Sequence, residues 1–257
     1  MPRATPALLV LLLPACAGPT LPRGHAHNDY FHPHPLHDAL AAGCDSVEAD
    51  VFLIDGDLRV GHERWLLRPG SLQSLYLEPL RARVRERGGA VQRAGERFWL
   101  LVDIKADGAA VYARLRTVLA GYADLLSVWR DGREQPGAVT VVLSGDRPRA
   151  LVAADLVRWC ALDGRLGDLD QDPPASLVPW ISDSWGKVSE WNGREPLPPE
   201  ERERLRTLAA RAHAQGRRLR FWGAPDLPAA WDELAAAGVD WISTDRLAEF
   251  AAWRRGR

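Results

Sequence analysis

"DSVEADVFLIDGDLRVGHE", residues 45–63, reads as a strand, a tight turn and a return strand. Asp55-Gly56 supplies the turn, because an Asp-Gly pair readily takes the positive φ angles of a short hairpin. Glu48 and Asp50 stand two apart on the first strand, so both side chains project from one face. Carboxylates held that close repel unless a cation or cationic side chain sits between them. The bland alternative is a polar pair on a solvent-facing strand edge. The sheet around the strand decides.

That sheet takes shape on either side. "GHAHND" (24–29) is strand-like, and "PLHDALAAG" (35–43) is a helix with Gly43 placed to end it. A helix follows the hairpin around "LEPLRARVRERGG" (77–89), then the strand "FWLLVDIKAD" (98–107). Helical spacing runs through "AAVYARLRTVLAGYADLLSVW" (109–129), and "AVTVVLSGD" (138–146) is the next strand. "RPRALVAAD" (147–155) is a short helix, and "VRWCALDG" (157–164) and "LVPWISDSW" (177–185) are strands. "LPPEERERLRTLAARAHAQG" (197–216) is a helix opened by prolines and acids and closed by Gly216. The strand "RLRFWGAPD" (218–226), the helix "LPAAWDELAAAGV" (227–239), "DWISTD" (240–245) and "RLAEFAAWRR" (246–255) complete the series.

About eight strands, most followed by a helix and with no Gly/Ser-rich linker between them, imply a parallel sheet. In a 257-residue chain they predict a single-domain α/β protein, a closed (β/α)8 TIM barrel over residues 21–257. An open doubly wound sheet is the runner-up; it would usually carry a Gly-rich phosphate turn after its first strand, where this chain has histidines. A barrel strand has no solvent edge. Glu48 and Asp50 are therefore expected to hold a hard cation, Mg²⁺ or Ca²⁺, through oxygen ligands.

Catalytic groups of such a barrel sit where its strands run out into loops. Asp103 and Lys105 repeat the two-residue spacing at the end of an apolar run, offering a third metal oxygen and a cation for an anionic substrate, or merely an internal salt bridge. His62 ends the hairpin return and comes back to the mouth that Glu48 and Asp50 line. The stretch 23–40 holds five of the seven histidines: His25 and His27 share a strand face, whereas His32, His34 and His37 read as exposed polar residues. Two imidazoles flanking a carboxylate-bound cation suit phosphodiester cleavage, one taking a proton from the nucleophile and the other giving one to the leaving oxygen. Trp180, Trp185 and Trp222, near strand ends, either line the apolar side of a pocket or fill space between barrel and helices.

The totals exclude other classes. A formal net charge of −1 with evenly spread charges leaves no nucleic-acid footprint. Arg3, the apolar Ala7–Leu13 stretch and "PACAG" read as an export signal over about residues 1–16, too short to span a bilayer. "LPAC" resembles a bacterial lipobox that would make Cys16 a lipid anchor, and Pro14 favours that reading over ordinary cleavage within 15–17. The expected location is secreted, periplasmic or lipid-anchored to a bacterial membrane. Cys44 and Cys160 are expected to be buried free thiols, on elements that should not be neighbours. No protein partner is evident.

"AHND", "VEADV", "GHE" and "VDIK", in this order and spacing, resemble the glycerophosphodiester phosphodiesterase-like (PI-PLC-like phosphodiesterase) superfamily, and within it the "AHNDY" branch of altered inheritance of mitochondria protein 6-like proteins. The likeness is strong over 24–105 and weaker at "WISTDRLAEF". It implies a phosphoric diester hydrolase with His27 and His62 as the acid/base pair. It further implies Glu48, Asp50 and Asp103 as metal ligands and Lys105 near the phosphate. In family members with a vicinal hydroxyl that group attacks phosphorus and forms a cyclic phosphate, and the resemblance implies the same option here. Asn28 stands where glycerophosphodiesterases have arginine, and the Pro-Glu-Asn-Thr run that follows in them is missing. A lipid phosphodiester is thus as good a substrate expectation as a glycerophosphodiester; Asn28 and Trp222 are candidate substrate contacts.

Two rivals stand beside this reading. "HAH" also begins metal-dependent amidohydrolase barrels, and Asp245 would fit their general base, but His213 is the only histidine after His62 and falls inside a helix. For Asp245, capping the last helix is the expected role. The other rival is a non-catalytic lipoprotein that binds phospholipid head groups.

Overall fold

The computed structural model describes residues 23–256; the expected export signal and Cys16 lie outside them. Eight parallel strands close into a barrel: β1 (Arg23–Ala26), β2 (Ser46–Ile54), β3 (Phe98–Ile104), β4 (Val139–Gly145), β5 (Ala161–Gly164), β6 (Trp180–Ser184), β7 (Arg218–Trp222) and β8 (Trp241–Thr244). Each pairs with the next, and β8 pairs back onto β1 with Arg23 opposite Trp241 and Ala26 opposite Thr244. The expected TIM barrel is the observed fold. Cys44 and Cys160 are buried free thiols.

Register explains what fills the barrel. Ser46 lies opposite Trp99, Glu48 opposite Leu101 and Asp50 opposite Asp103, while Asp103 in turn faces Ser144. Because side chains alternate along a strand, every second residue of each strand joins one interior column. Trp99, Trp180 and Trp241 begin three such columns and pack together at the barrel floor with Leu101, Val142, Ala161 and Trp129. Trp180 and Trp241 stack at 5.0 Å between ring centroids, and the Arg218 guanidinium lies 5.1 Å from the Trp99 ring. Trp180 is therefore floor packing and not a pocket wall. Trp185, buried against Trp191 and Phe221, is packing as well.

Above the floor the interior turns polar. His25 is completely buried, with its ring edge-on to Trp180. Ser46, Ser182 and Arg220 share its layer, and each is buried.

The hairpin appears as expected: Asp57–Glu63 pairs antiparallel with β2, Ile54 facing Asp57. A further strand, Leu66–Ser71, extends it outward. One expected helix is shorter than its spacing implied, ending at Ala120 instead of running to Trp129. Val128–Arg130 instead forms a small antiparallel sheet with Arg133–Gln135 and Val157–Arg158. The apolar residues that mimicked helical periodicity, Tyr122, Leu125, Leu126 and Trp129, are buried from a turn and a strand. The segment 157–164 is likewise divided: its first two residues join that sheet, and only Ala161–Gly164 enters the barrel.

Candidate active site

The interior columns emerge at the C-terminal mouth, where a cavity of about 360 Å³ is lined by His27, Asn28, Glu48, Asp50, His62, Asp103, Lys105, Ser144, Gly145, Arg165, Arg220 and Trp222. Every site residue expected from sequence lines it. Of the three tryptophans considered, only Trp222 does.

Glu48, Asp50 and Asp103 each offer a carboxylate oxygen, and those atoms all lie within 4.8 Å of one another. Gly145, at the end of β4, makes room for them. Its φ is +65°, and a Cβ there would come within 1.9 Å of an Asp103 oxygen. Burial pushes the Asp103 carboxyl up to about 7, reinforced by the charges of Asp50 and Glu48. Burial and the Glu48 charge also raise Asp50, which Lys105 and Tyr30 partly offset. Glu48 behaves differently. Burial disfavours its charge, but Arg220 and the hydrogen bond from His25 hold it well below the usual carboxylate range.

The partners of these acids were largely hidden from sequence reasoning. Arg220 donates from Nη2 to Glu48 Oε2 at 2.7 Å and from Nε to Ser243 Oγ at 2.8 Å. His25 places Nε2 3.0 Å from the same Glu48 oxygen and Nδ1 2.9 Å from Ser46 Oγ. Burial, and then the charge of Arg220, drive the His25 pKa down to about 3, so the ring is neutral. His25 thus positions Glu48, with Nε2–H donating and Nδ1 accepting.

On Asp50, a single oxygen takes all the contacts. Oδ2 lies 2.8 Å from the Tyr30 hydroxyl, 3.1 Å from His62 Nδ1 and 3.1 Å from Lys105 Nζ. Oδ1 is buried with no hydrogen-bond partner among the described residues. An ionised oxygen left bare inside a protein is costly, and nearby carboxylates increase the cost. A cation among the three acids satisfies that atom and neutralises their mutual repulsion. Oxygen donors alone suit a hard divalent ion. The residues fit the expected metal.

His27 hydrogen-bonds through Nδ1 to Asp245 Oδ1 at 3.0 Å. Burial alone would lower its pKa, but the Asp245 hydrogen bond and the Glu48 charge raise it above the ordinary histidine value. Asp245 is thereby corrected. The last helix, Leu247–Arg255, has no side-chain cap, and the carboxylate orients His27 instead. His62 Nδ1 is engaged by Asp50, so both rings are held through one nitrogen. Asn28 sits in the left-handed region at φ 46°, with its side-chain amide 2.9 Å from the Tyr30 hydroxyl. His34 and His37 are exposed, as expected, whereas His32 is half-buried.

The signal that could have found Arg220, Asp245 and Arg165 was present in the sequence. "RLRFW", "ISTD" and "LDGR" carry the same two-residue spacing at strand ends that marked "VEADV" and "VDIK".

Comparison with known proteins bears on this site. Residues 20–159, just over half of the chain, match the AIM6-like phosphodiesterase domain. A protein of Arthroderma benhamiae called altered inheritance of mitochondria protein 6 homolog is 31% identical over 86% of this chain and 80% of its own length. An Eremothecium gossypii protein called altered inheritance of mitochondria protein 6 is 32% identical over 89% of this chain and 68% of its own. Among solved structures, a glycerophosphodiester phosphodiesterase from Parabacteroides distasonis superposes with TM-score 0.55 at 14% identity, covering 93% of this chain and 99% of the other. One from Agrobacterium tumefaciens gives 0.53 at 18%, covering 90% and 99%. At those identities the two structures establish the shared barrel.

Proposed function

The chain belongs to the AIM6-like phosphodiesterase family, and on that premise we propose that it is a divalent-metal-dependent phosphoric diester hydrolase acting on a glycerophosphodiester or phospholipid-type substrate. The observation that carries this reading is the unpartnered, buried Asp50 Oδ1 inside a three-carboxylate cluster. Glu48, Asp50 and Asp103 would hold Mg²⁺ or Ca²⁺. Such an ion, when bound, supplies positive charge to the phosphoryl oxygens.

The chain's own residues do the rest. Lys105, kept charged by Asp50 and Asp103 despite partial burial, faces the same oxygens. Asp245 fixes the His27 ring with its proton on Nδ1, which leaves Nε2 as the acceptor, and it stabilises the imidazolium that forms. His27 is therefore assigned as general base toward the attacking hydroxyl or water. His62, held through Nδ1 by Asp50, is assigned as the acid that protonates the leaving oxygen. Asn28 and Trp222 contact the substrate from the rim.

The amidohydrolase rival loses its footing. His25 is committed to Ser46 and Glu48, and the metal-ligating cluster found among the described residues is all carboxylate. Export, with Cys16 as a lipid anchor, remains part of the proposal and is read by radiolabelled-palmitate incorporation with a Cys16→Ala control.

The test is turnover of bis-p-nitrophenyl phosphate, glycerophosphodiesters and lysophospholipids by purified protein. His27→Ala and His62→Ala should each lower the rate by about 10²–10⁴-fold, the usual contribution of a positioned acid or base. A His27→Ala protein with full turnover would overturn the assignment.

A further inference from the structure

Across the barrel from β1, the cavity wall is cationic in a way the hydrolytic machinery does not use. Arg165, just past β5, lies with its guanidinium carbon 4.9 Å from the centre of the Trp222 ring. Its Nη1 donates to Asp163 Oδ2 at 2.6 Å and to the Gly164 carbonyl at 2.8 Å, and Nη2 reaches Ser144 Oγ at 3.3 Å. Asp163 is almost fully buried and also accepts from Ser144, so the head group of Arg165 is braced from behind. Nε has no partner among the described residues and remains a free donor on a side chain that lines the cavity.

Arg147, on the loop after β4, carries a further guanidinium that is not among the residues lining the cavity. Its Nη1 donates to the Gly145 carbonyl at 3.0 Å, and its Nε is buried without a hydrogen-bond partner among the described residues. Burial, and then the nearby charge of Arg165, lower its pKa. Arg165 thus offers the cavity a stacked, braced guanidinium with one donor open to an anion.

Resting on the hydrolase reading, we propose that Arg165, stacked on Trp222 and braced by Asp163, recognises a second anionic group on the substrate, carried by the alcohol beyond the scissile phosphate. The substrates favoured are phosphodiesters whose head group bears a carboxylate or a phosphomonoester. Quaternary ammonium head groups are disfavoured. A bare tryptophan face in a cavity attracts cations, but here the Arg165 guanidinium already lies against that face and repels a second positive charge. Arg165 is thus a specificity-determining residue, distinct from the groups assigned to the chemistry.

Affinity separates this proposal from catalysis. Calorimetric titration of the His27→Ala protein in Mg²⁺ buffer would use glycerophosphoinositol 4-phosphate, glycerophosphoserine, glycerophosphoinositol and glycerophosphocholine. The 4-phosphate should bind about tenfold or more tighter than glycerophosphoinositol, the scale of a charge-assisted hydrogen bond, with the zwitterionic serine compound between them and choline weakest. Arg165→Gln should level the four affinities. Because that change strands Asp163, Arg165→Lys serves as the variant that keeps the charge; it should preserve the order with a smaller spread. Equal affinities in the His27→Ala protein, tighter choline binding, or no binding of any of the four would overturn the proposal. If the parent enzyme hydrolyses none of these diesters while the affinity order holds, the hydrolase reading falls and the anion site stands. Turnover with no preference for charge defeats the Arg165 assignment alone.

Discussion

The two ends of the barrel are built from the same strands and do opposite things. At the floor, Trp99, Trp180 and Trp241 fill the interior and leave little unsatisfied beyond indole N–H groups. At the mouth, four residues beyond Trp99 on the same strand, Asp103 faces a cavity. There like charges are crowded, and Asp50 and Asp163 each keep a buried carboxylate oxygen without a hydrogen-bond partner among the described residues. The floor spends its residues on packing, while the mouth accepts electrostatic strain that only a ligand removes. His25, Glu48 and Arg220 form the layer between. They join the Trp180 ring below to the acidic cluster above.

The contrast can be broken most severely at Asp103. Asp103→Asn should lower phosphodiester turnover by about 10³-fold or more, since metal-derived charge stabilisation is worth several kcal/mol. The same change should raise the melting temperature of metal-stripped protein near neutral pH. A carboxyl whose folded-state pKa stands at about 7, above its unfolded value, loses stability as pH rises through that value, and Asn has no such charge to bury. Parallel losses of activity and stability in thermal scans and rate assays would deny that the mouth is strained.

The floor should respond the other way. Trp180→Ala leaves a large hole beneath the polar layer and should cost about 3–5 kcal/mol in denaturant unfolding, while turnover well below the melting temperature falls far less than in Asp103→Asn. A smaller effect is expected at Asp245. Its replacement by Asn should reduce kcat by about 10–100-fold, by analogy with carboxylates that orient a histidine, and leave unfolding nearly unchanged. An unaltered kcat would return Asp245 to a structural role.

The smallest effect separates a strained site from a merely buried acid. Asp29 is fully buried on the loop after β1, where Oδ2 accepts the Leu36 N–H at 2.6 Å, and burial pushes its carboxyl up to about 7. Its favourable, protonated form is complete below about pH 4 and is lost as pH rises through 7. Asp29→Asn should flatten that part of the stability profile without changing turnover. A profile of unchanged slope would contradict the assignment.

Most of the fold was legible because period-two runs alternated with helical ones, and the acids of "VEADV" and "VDIK" stood out against apolar neighbours. The site's other half was harder to see. Arg220 lies in "RLRFW" among other arginines, and only the closed ring of strands shows that it points at Glu48, 172 residues away. Asp245 looked like a helix cap, since nothing local indicates that β8 lies beside β1. Trp180 and Trp222 read alike from sequence. Their separation into floor and rim follows from position along the strand, the first at the start of β6 and the second at the end of β7.

The most direct test of the acidic cluster as a cation site is bis-p-nitrophenyl phosphate turnover before chelation, after EDTA, and after re-addition of Mg²⁺ or Ca²⁺. The account predicts that EDTA abolishes turnover and that one of the two ions restores it in the parent protein but not in Asp50→Asn. Turnover indifferent to EDTA would contradict it.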